Sequence, residues 1–90
     1  MKHTLRWENT SRTAYLDGNY LSPERSQKIF NHSPNGFNVG YGGSGPAQLA
    51  LAILLELIDE DSALVKHQQF KWTTIATLPK NKDFEIEFKF

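Results

Sequence analysis

Gly40-Tyr41-Gly42-Gly43-Ser44-Gly45-Pro46-Ala47-Gln48-Leu49-Ala50-Leu51-Ala52-Ile53-Leu54-Leu55-Glu56-Leu57-Ile58 is the stretch on which the fold turns. From Gly42 to Gly45 the chain can take backbone angles closed to other residues, and Pro46 presets φ for a first helical turn. From Pro46 to Ile58 only Gln48 and Glu56 are polar. With Ala52 they form one narrow stripe at helical spacing, so the spacing predicts a helix covered by protein almost all round. The longest apolar run, Leu49 to Leu55, falls well short of the roughly 20 residues that cross a bilayer. A buried helix of this kind needs partners on several sides, and the flanking segments must supply them.

Upstream, Phe37, Val39 and Tyr41 alternate with Asn38 and Gly40, which predicts a short strand leading into the glycines. Asn31 to Gly36 gathers Asn, His, Ser, Pro and Gly and reads as a loop. Ser22-Pro23-Glu24 has the order of an N-cap, a first-turn proline and a first-turn acid, so a short helix is expected over 23–28. Thr13 to Leu16 and Asn19 to Leu21 flank Asp17-Gly18, a pair suited to a two-residue type I′ turn that sets Tyr15 across from Tyr20. His3 to Trp7 alternates as a first strand, followed by a polar break from Glu8 to Ser11.

Downstream, Asp59-Glu60-Asp61 fits the solvated start of a second helix, expected over 62–78 and stopped by Pro79. Ser62, Lys66, Gln69, Thr73 and Thr77 fall on its water-facing side, and Ala63, Leu64, Phe70, Ile75 and Leu78 on the other. His67 and Lys71 project among the apolar set as exceptions. Phe84 to Phe90 alternates Phe or Ile with charge and reads as a half-buried strand. Together these pieces predict an α+β domain spanning 1–90. Its expected form is a two-layer sandwich, with a small, mostly antiparallel sheet of about four strands and two main helices on one face.

Composition narrows the function classes. Ten basic and ten acidic residues cancel, so no global field draws a polyanion, and nucleic-acid binding is not expected. There is no cysteine, which points to a cytoplasmic setting, and Met1 to Glu8 has no apolar run of signal-peptide length. No membrane association is expected. His3, His32 and His67 lack the spacing of a metal site, and three adjacent carboxylates at 59–61 cannot converge on one ion. No nucleophile, base and charge stabiliser can be named as a set, Ser44 included, because the G-x-S-x-G elbow is missing. Catalysis is the least supported reading, and no cofactor is implied.

Gly40 to Gly45 satisfies G-x-G-x-x-G between an expected strand and a helix. A dinucleotide fold would follow with a strand ending in an acid, and a Walker loop would need Gly-Lys-Ser/Thr; neither is here. Two uses stay open for the glycines: a sharp turn that packs the helix, or amides that cradle an anion or small ligand. His32 in its loop serves either backbone hydrogen bonding or that ligand. Lys71 either snorkels or faces the ligand.

The run from Gly40 to Leu54, with Asn31-His32-Ser33-Pro34 and Gly36-Phe37 before it and Phe70-Lys71-Trp72 and Leu78-Pro79 after it, resembles a family of small bacterial and phage-borne domains of unknown function. The resemblance covers roughly residues 29–79. It implies a bacterial or phage origin, often on mobile elements, and candidate positions at His32, the segment Gly42, Gly43, Ser44, Gly45 to Gln48, and Lys71. The residues leave two main functional readings. One is a noncatalytic interaction or accessory module, meeting a protein partner or a second copy through a sheet edge at the terminal strand or the Tyr hairpin. The other is a small-ligand or anion-binding domain using the glycine loop, His32, Gln48 and Lys71.

Overall fold

A computed structural model describes residues 1–90. Its elements are β1 (Lys2–Glu8), β2 (Thr13–Leu16), β3 (Asn19–Leu21), α1 (Glu24–Ile29), α2 (Ser44–Leu57), α3 (Glu60–Thr73), a 3₁₀ turn (Ile75–Thr77) and β4 (Phe84–Lys89). The strands form one antiparallel sheet in the order β3-β2-β1-β4. This is the expected α+β sandwich.

The hairpin follows from its turn. Asp17 and Gly18 both take positive φ, 51° and 83°, and Tyr15 lies opposite Tyr20. Asp17 also ties the tip back to β1, because its carboxylate accepts the Thr4 N–H at 2.8 Å and sits 2.8 Å from His3 Nδ1. At the start of α1, Ser22 Oγ accepts the Glu24 N–H, while Pro23 is already helical.

Alternation divides the sheet's two faces. Leu5, Trp7, Ala14, Leu16 and Leu21 turn inward and are buried. On the outer face one row crosses all four strands, Glu85 on β4, Arg6 on β1, Tyr15 on β2 and Tyr20 on β3. The Arg6 guanidinium lies 3.9 Å from the centre of the Tyr15 ring and pairs with Glu8 at 2.8 Å. Against the inner face lies α2, buried from Gly45 to Leu55. Leu49, Leu51, Ile53 and Leu54 are wholly enclosed, each worth about 1.5–3 kcal/mol of apolar burial. No helix is long and apolar enough to cross a membrane.

Two expectations need correction. Phe37 to Tyr41 is not a strand, although Phe37 and Val39 are buried as its alternation requires. The Val39 N–H is taken by the Asn38 side chain and the Gly40 N–H by the Ile75 carbonyl, so these groups join no ladder. The second helix ends at Thr73 rather than Leu78. A helix through Leu78 would aim the Ile75 carbonyl at Pro79, which has no N–H to give. Ile75 accepts from Gly40 and Leu78 instead, and the chain tightens into the 3₁₀ turn. Asp59 caps α3 by accepting the Ser62 N–H, which together with Glu60 and Asp61 accounts for the acidic run.

Candidate functional site

Gln48 is the polar residue that the apolar run of α2 could least tolerate unpaired, and it is fully buried. Every hydrogen-bonding position of its amide is used. Oε1 accepts the N–H groups of His32 and Ser33, at 2.7 and 2.9 Å. Nε2 donates to Ser26 Oγ at 2.9 Å and to the Phe30 carbonyl at 3.1 Å. One side chain thereby fixes the end of α1 and the start of the 31–36 loop against the central helix.

That anchoring brings His32 to α3. Its Nε2 lies 2.9 Å from Nε2 of His67, and its ring stacks on Phe30 with centroids 4.2 Å apart. His67 Nδ1 faces the carbonyls of Leu64 and Ala63, at 2.8 and 3.2 Å. Carbonyls only accept, so Nδ1 of His67 carries the proton, its Nε2 offers a lone pair, and neutral His32 donates from Nε2. Burial pushes the His32 pKa below its ordinary value, and repulsion, first from a protonated His67 and then from Lys71, acts in the same direction.

Lys71 lies one turn beyond His67, with its stem buried. Its Nζ donates to the Gly42 carbonyl at 3.4 Å and sits 4.4 Å from the Trp72 ring centre. Around it the glycines meet the chain's own atoms. A Cβ on Gly42 would overlap the Trp72 ring, one on Gly43 the Tyr41 ring, and one on Gly45 would stand 2.7 Å from Asn38 Cβ. Gly40 takes φ 83° with Lys80 and Leu78 packed beside it.

The candidate residues therefore fall into two neighbourhoods. His32, Gln48 and His67 form a hydrogen-bonded polar seam between α1, the loop and α3, and beside it Lys71 reaches from α3 to the Gly42 carbonyl. Gly43, Ser44 and Gly45 open instead onto a cleft of about 440 Å³ that also borders Arg12, Asn35 and Tyr41. Arg12 is not among the ligand-binding candidates that the sequence offers, and its positive φ of 52° belongs to the turn after β1. His67 was visible as a polar exception four residues before Lys71 on an apolar face; its partner 35 positions away was not. No buried side-chain polar atom in the chain lacks a hydrogen-bond partner.

A third region differs from both. β4 lies at one margin of the sheet, and Phe90 and Met1 exchange both backbone hydrogen bonds beyond its end, at 3.1 and 3.3 Å. Alternation along an antiparallel ladder then turns the N–H and C=O groups of Phe84, Ile86 and Phe88 toward β1. Those of Glu85, Glu87 and Lys89 point away from the sheet. The opposite margin, β3, has three residues and runs into Ser22-Pro23, so it offers a much shorter template.

A four-stranded antiparallel sheet backed by a wholly buried helix, with a free strand margin, defines a compact α+β sandwich with an accessible sheet edge. The chain belongs to the family of unknown function DUF6166, whose model matches residues 3–89. No curated protein and no solved structure matches it.

Proposed function

We propose that this chain is a noncatalytic interaction module that accepts an extended segment along β4, working in the cytoplasm as an accessory protein of a bacterial or phage element. The observation that carries this reading is the outward row of backbone groups at Glu85, Glu87 and Lys89, in a chain whose buried polar side chains are otherwise satisfied. An added strand supplies main-chain hydrogen bonds, and alternate side chains set its specificity. The segment that fits alternates apolar with charged residues. Its apolar side would extend the layer of Ile86 and Phe88 under α3, and its charged side would continue the outer face. The cysteine-free composition supports the reducing compartment, and the resemblance noted above supports the origin.

Anion binding at the glycine loop has less behind it. Pro46 removes one helix-start donor, the glycine positions are crowded by the chain's own atoms, and no unpartnered buried side chain aims into the cleft.

A synthetic peptide with the sequence of residues 84–90 tests strand acceptance directly. Titrated into isotopically labelled protein, it should shift and protect the amides of Glu85, Glu87 and Lys89. The variant Glu87→Pro, which removes one outward N–H and leaves the β1 ladder intact, should abolish the response. Unchanged amides at millimolar peptide would refute the proposal.

A further inference from the structure

Resting on that reading of β4, we infer that its partner is β4 of a second copy, paired antiparallel about a two-fold axis at Phe88. Only registers that place odd residues opposite odd residues join the outward N–H and C=O groups of both strands. Centred on Ile86, such a pairing sets Glu85 against Glu87 twice, with Lys89 facing Asp83 beyond the strand end, and centred on Glu87 it sets that carboxylate against itself at the axis, between two Glu85–Lys89 pairs. Centred on Phe88 it sets Glu87 against Lys89 of the second copy, and Lys89 against Glu87 of the second copy. Both of these pairs exchange two N–H···O bonds each. No like charges meet in the new pairing.

Two further features favour this register. Within one chain Lys2 lies directly opposite Lys89, a like-charge cross-strand pair, while Glu87 lies opposite Thr4 and joins none of the chain's ion pairs. The Phe88 register brings Glu87 of the second copy to the far side of Lys89, so a carboxylate stands next to a pair of adjacent ammonium groups that has no counter-charge across β1 and β4 within one chain. On the helix side, Phe90 is 41% exposed and its ring stands edge-on to Phe70 at 5.6 Å. These two rings border a cavity of about 250 Å³ together with Lys66 and Lys89. The register places Ile86 of the second copy beside Phe90, where it extends the apolar layer next to that cavity. The result is one sheet continuous across the two copies, in the order β3-β2-β1-β4-β4-β1-β2-β3.

Sedimentation equilibrium across a concentration series tests the inference. The chain should move between monomer and dimer. Glu87→Lys alone, or Lys89→Glu alone, sets like charges together twice and should raise the dissociation constant about tenfold. The double variant Glu87→Lys/Lys89→Glu restores opposite charges and should return it to near the original value. Mixing the two single variants should give a heterodimer tighter than either homodimer. A chain that stays monomeric to millimolar concentration, or a double variant no better than the singles, would overturn the inference. If the 84–90 peptide still protects the β4 amides of a monomeric chain, strand acceptance stands and only the second copy falls. If the peptide leaves them unchanged, both fall.

Discussion

The seam around Gln48 and the outer margin of β4 treat hydrogen-bonding groups in opposite ways. In the seam, each amide position of Gln48 meets a partner inside the chain, and the His32 and His67 rings use their facing nitrogens on each other. Along β4 a row of donors and acceptors faces outward from a strand whose charged residues are exposed. The residues with the most reactive chemistry are thus engaged in holding a loop and two helices in place. A plain alternating strand is left with backbone donors and acceptors unpaired along its outer margin. Substitutions in the two regions should separate cleanly, with large stability losses at the seam and almost none at the margin.

Gln48→Ala should produce the largest loss. It leaves two backbone N–H groups without their acceptor and opens a void in the centre of the fold. At about 1–3 kcal/mol for each unmet buried group, the expected cost is roughly 3–5 kcal/mol, measured by urea unfolding. For a domain of this size that corresponds to a fall in Tm of about 4–8 °C per kcal/mol. A loss under about 1 kcal/mol would mean that water replaces the amide, and the seam would no longer count as closed.

Next in size is Gly45→Ala, about 1–3 kcal/mol, because the new Cβ meets Asn38 Cβ and backbone N at 2.7 and 3.0 Å. At Gly42→Ala the nearest atoms all belong to the ring of Trp72, a side chain that is 60% exposed and can swing outward, so the substitution should cost under about 1 kcal/mol. Equal costs at the two glycines would break the distinction between a backbone contact and a yielding side chain.

The hairpin, the central helix and the last strand were legible because each is encoded locally: a turn pair, an apolar run, a strict alternation. The segment from Phe37 to Tyr41 shows where local coding stops. Its alternation anticipated the burial of Phe37 and Val39, but a strand also needs a ladder partner, and the Ile75 carbonyl that meets Gly40 lies 35 residues away. Pro79 reads as a stop at its own position, whereas α3 ends six residues earlier at Thr73, where Ile75 turns its carbonyl to the Gly40 N–H of a distant segment. At the candidate site, Gln48 stood out as the polar residue in a greasy helix. Its partners on α1 and the loop depend on how the chain returns, which no spacing within α2 records.

Acid should weaken the seam before it touches the strand margin. The His32 pKa lies below its unfolded value, so the unfolded chain binds more protons than the folded one as pH falls through about 6.5. Stability should therefore be complete above that value, decline as pH drops toward the lower folded pKa, and level off below it. The groups facing His32 are His67 and Lys71, both cationic when protonated, and no carboxylate offsets them. Two protonated rings would also set N–H against N–H across 2.9 Å. In His32→Asn this part of the pH dependence should vanish from urea midpoints between about pH 7 and 5; an unchanged slope would remove His32 as its source.

The smallest effect is expected at Glu87→Lys, and it is the most discriminating. Glu87 is exposed, lies opposite the uncharged Thr4 and has no ion-pair partner within the chain. Its backbone N–H and C=O point away from β1, so the substitution disturbs no bond of the sheet. The unfolding free energy of the dilute monomer should stay within about 0.5 kcal/mol of the original. Association at high concentration should weaken about tenfold. Stability and association would then respond to different residues, as a margin reserved for binding requires. A monomer destabilised by more than about 1 kcal/mol would instead mean that Glu87 already contributes within its own chain, and the contrast between the closed seam and the open strand would disappear.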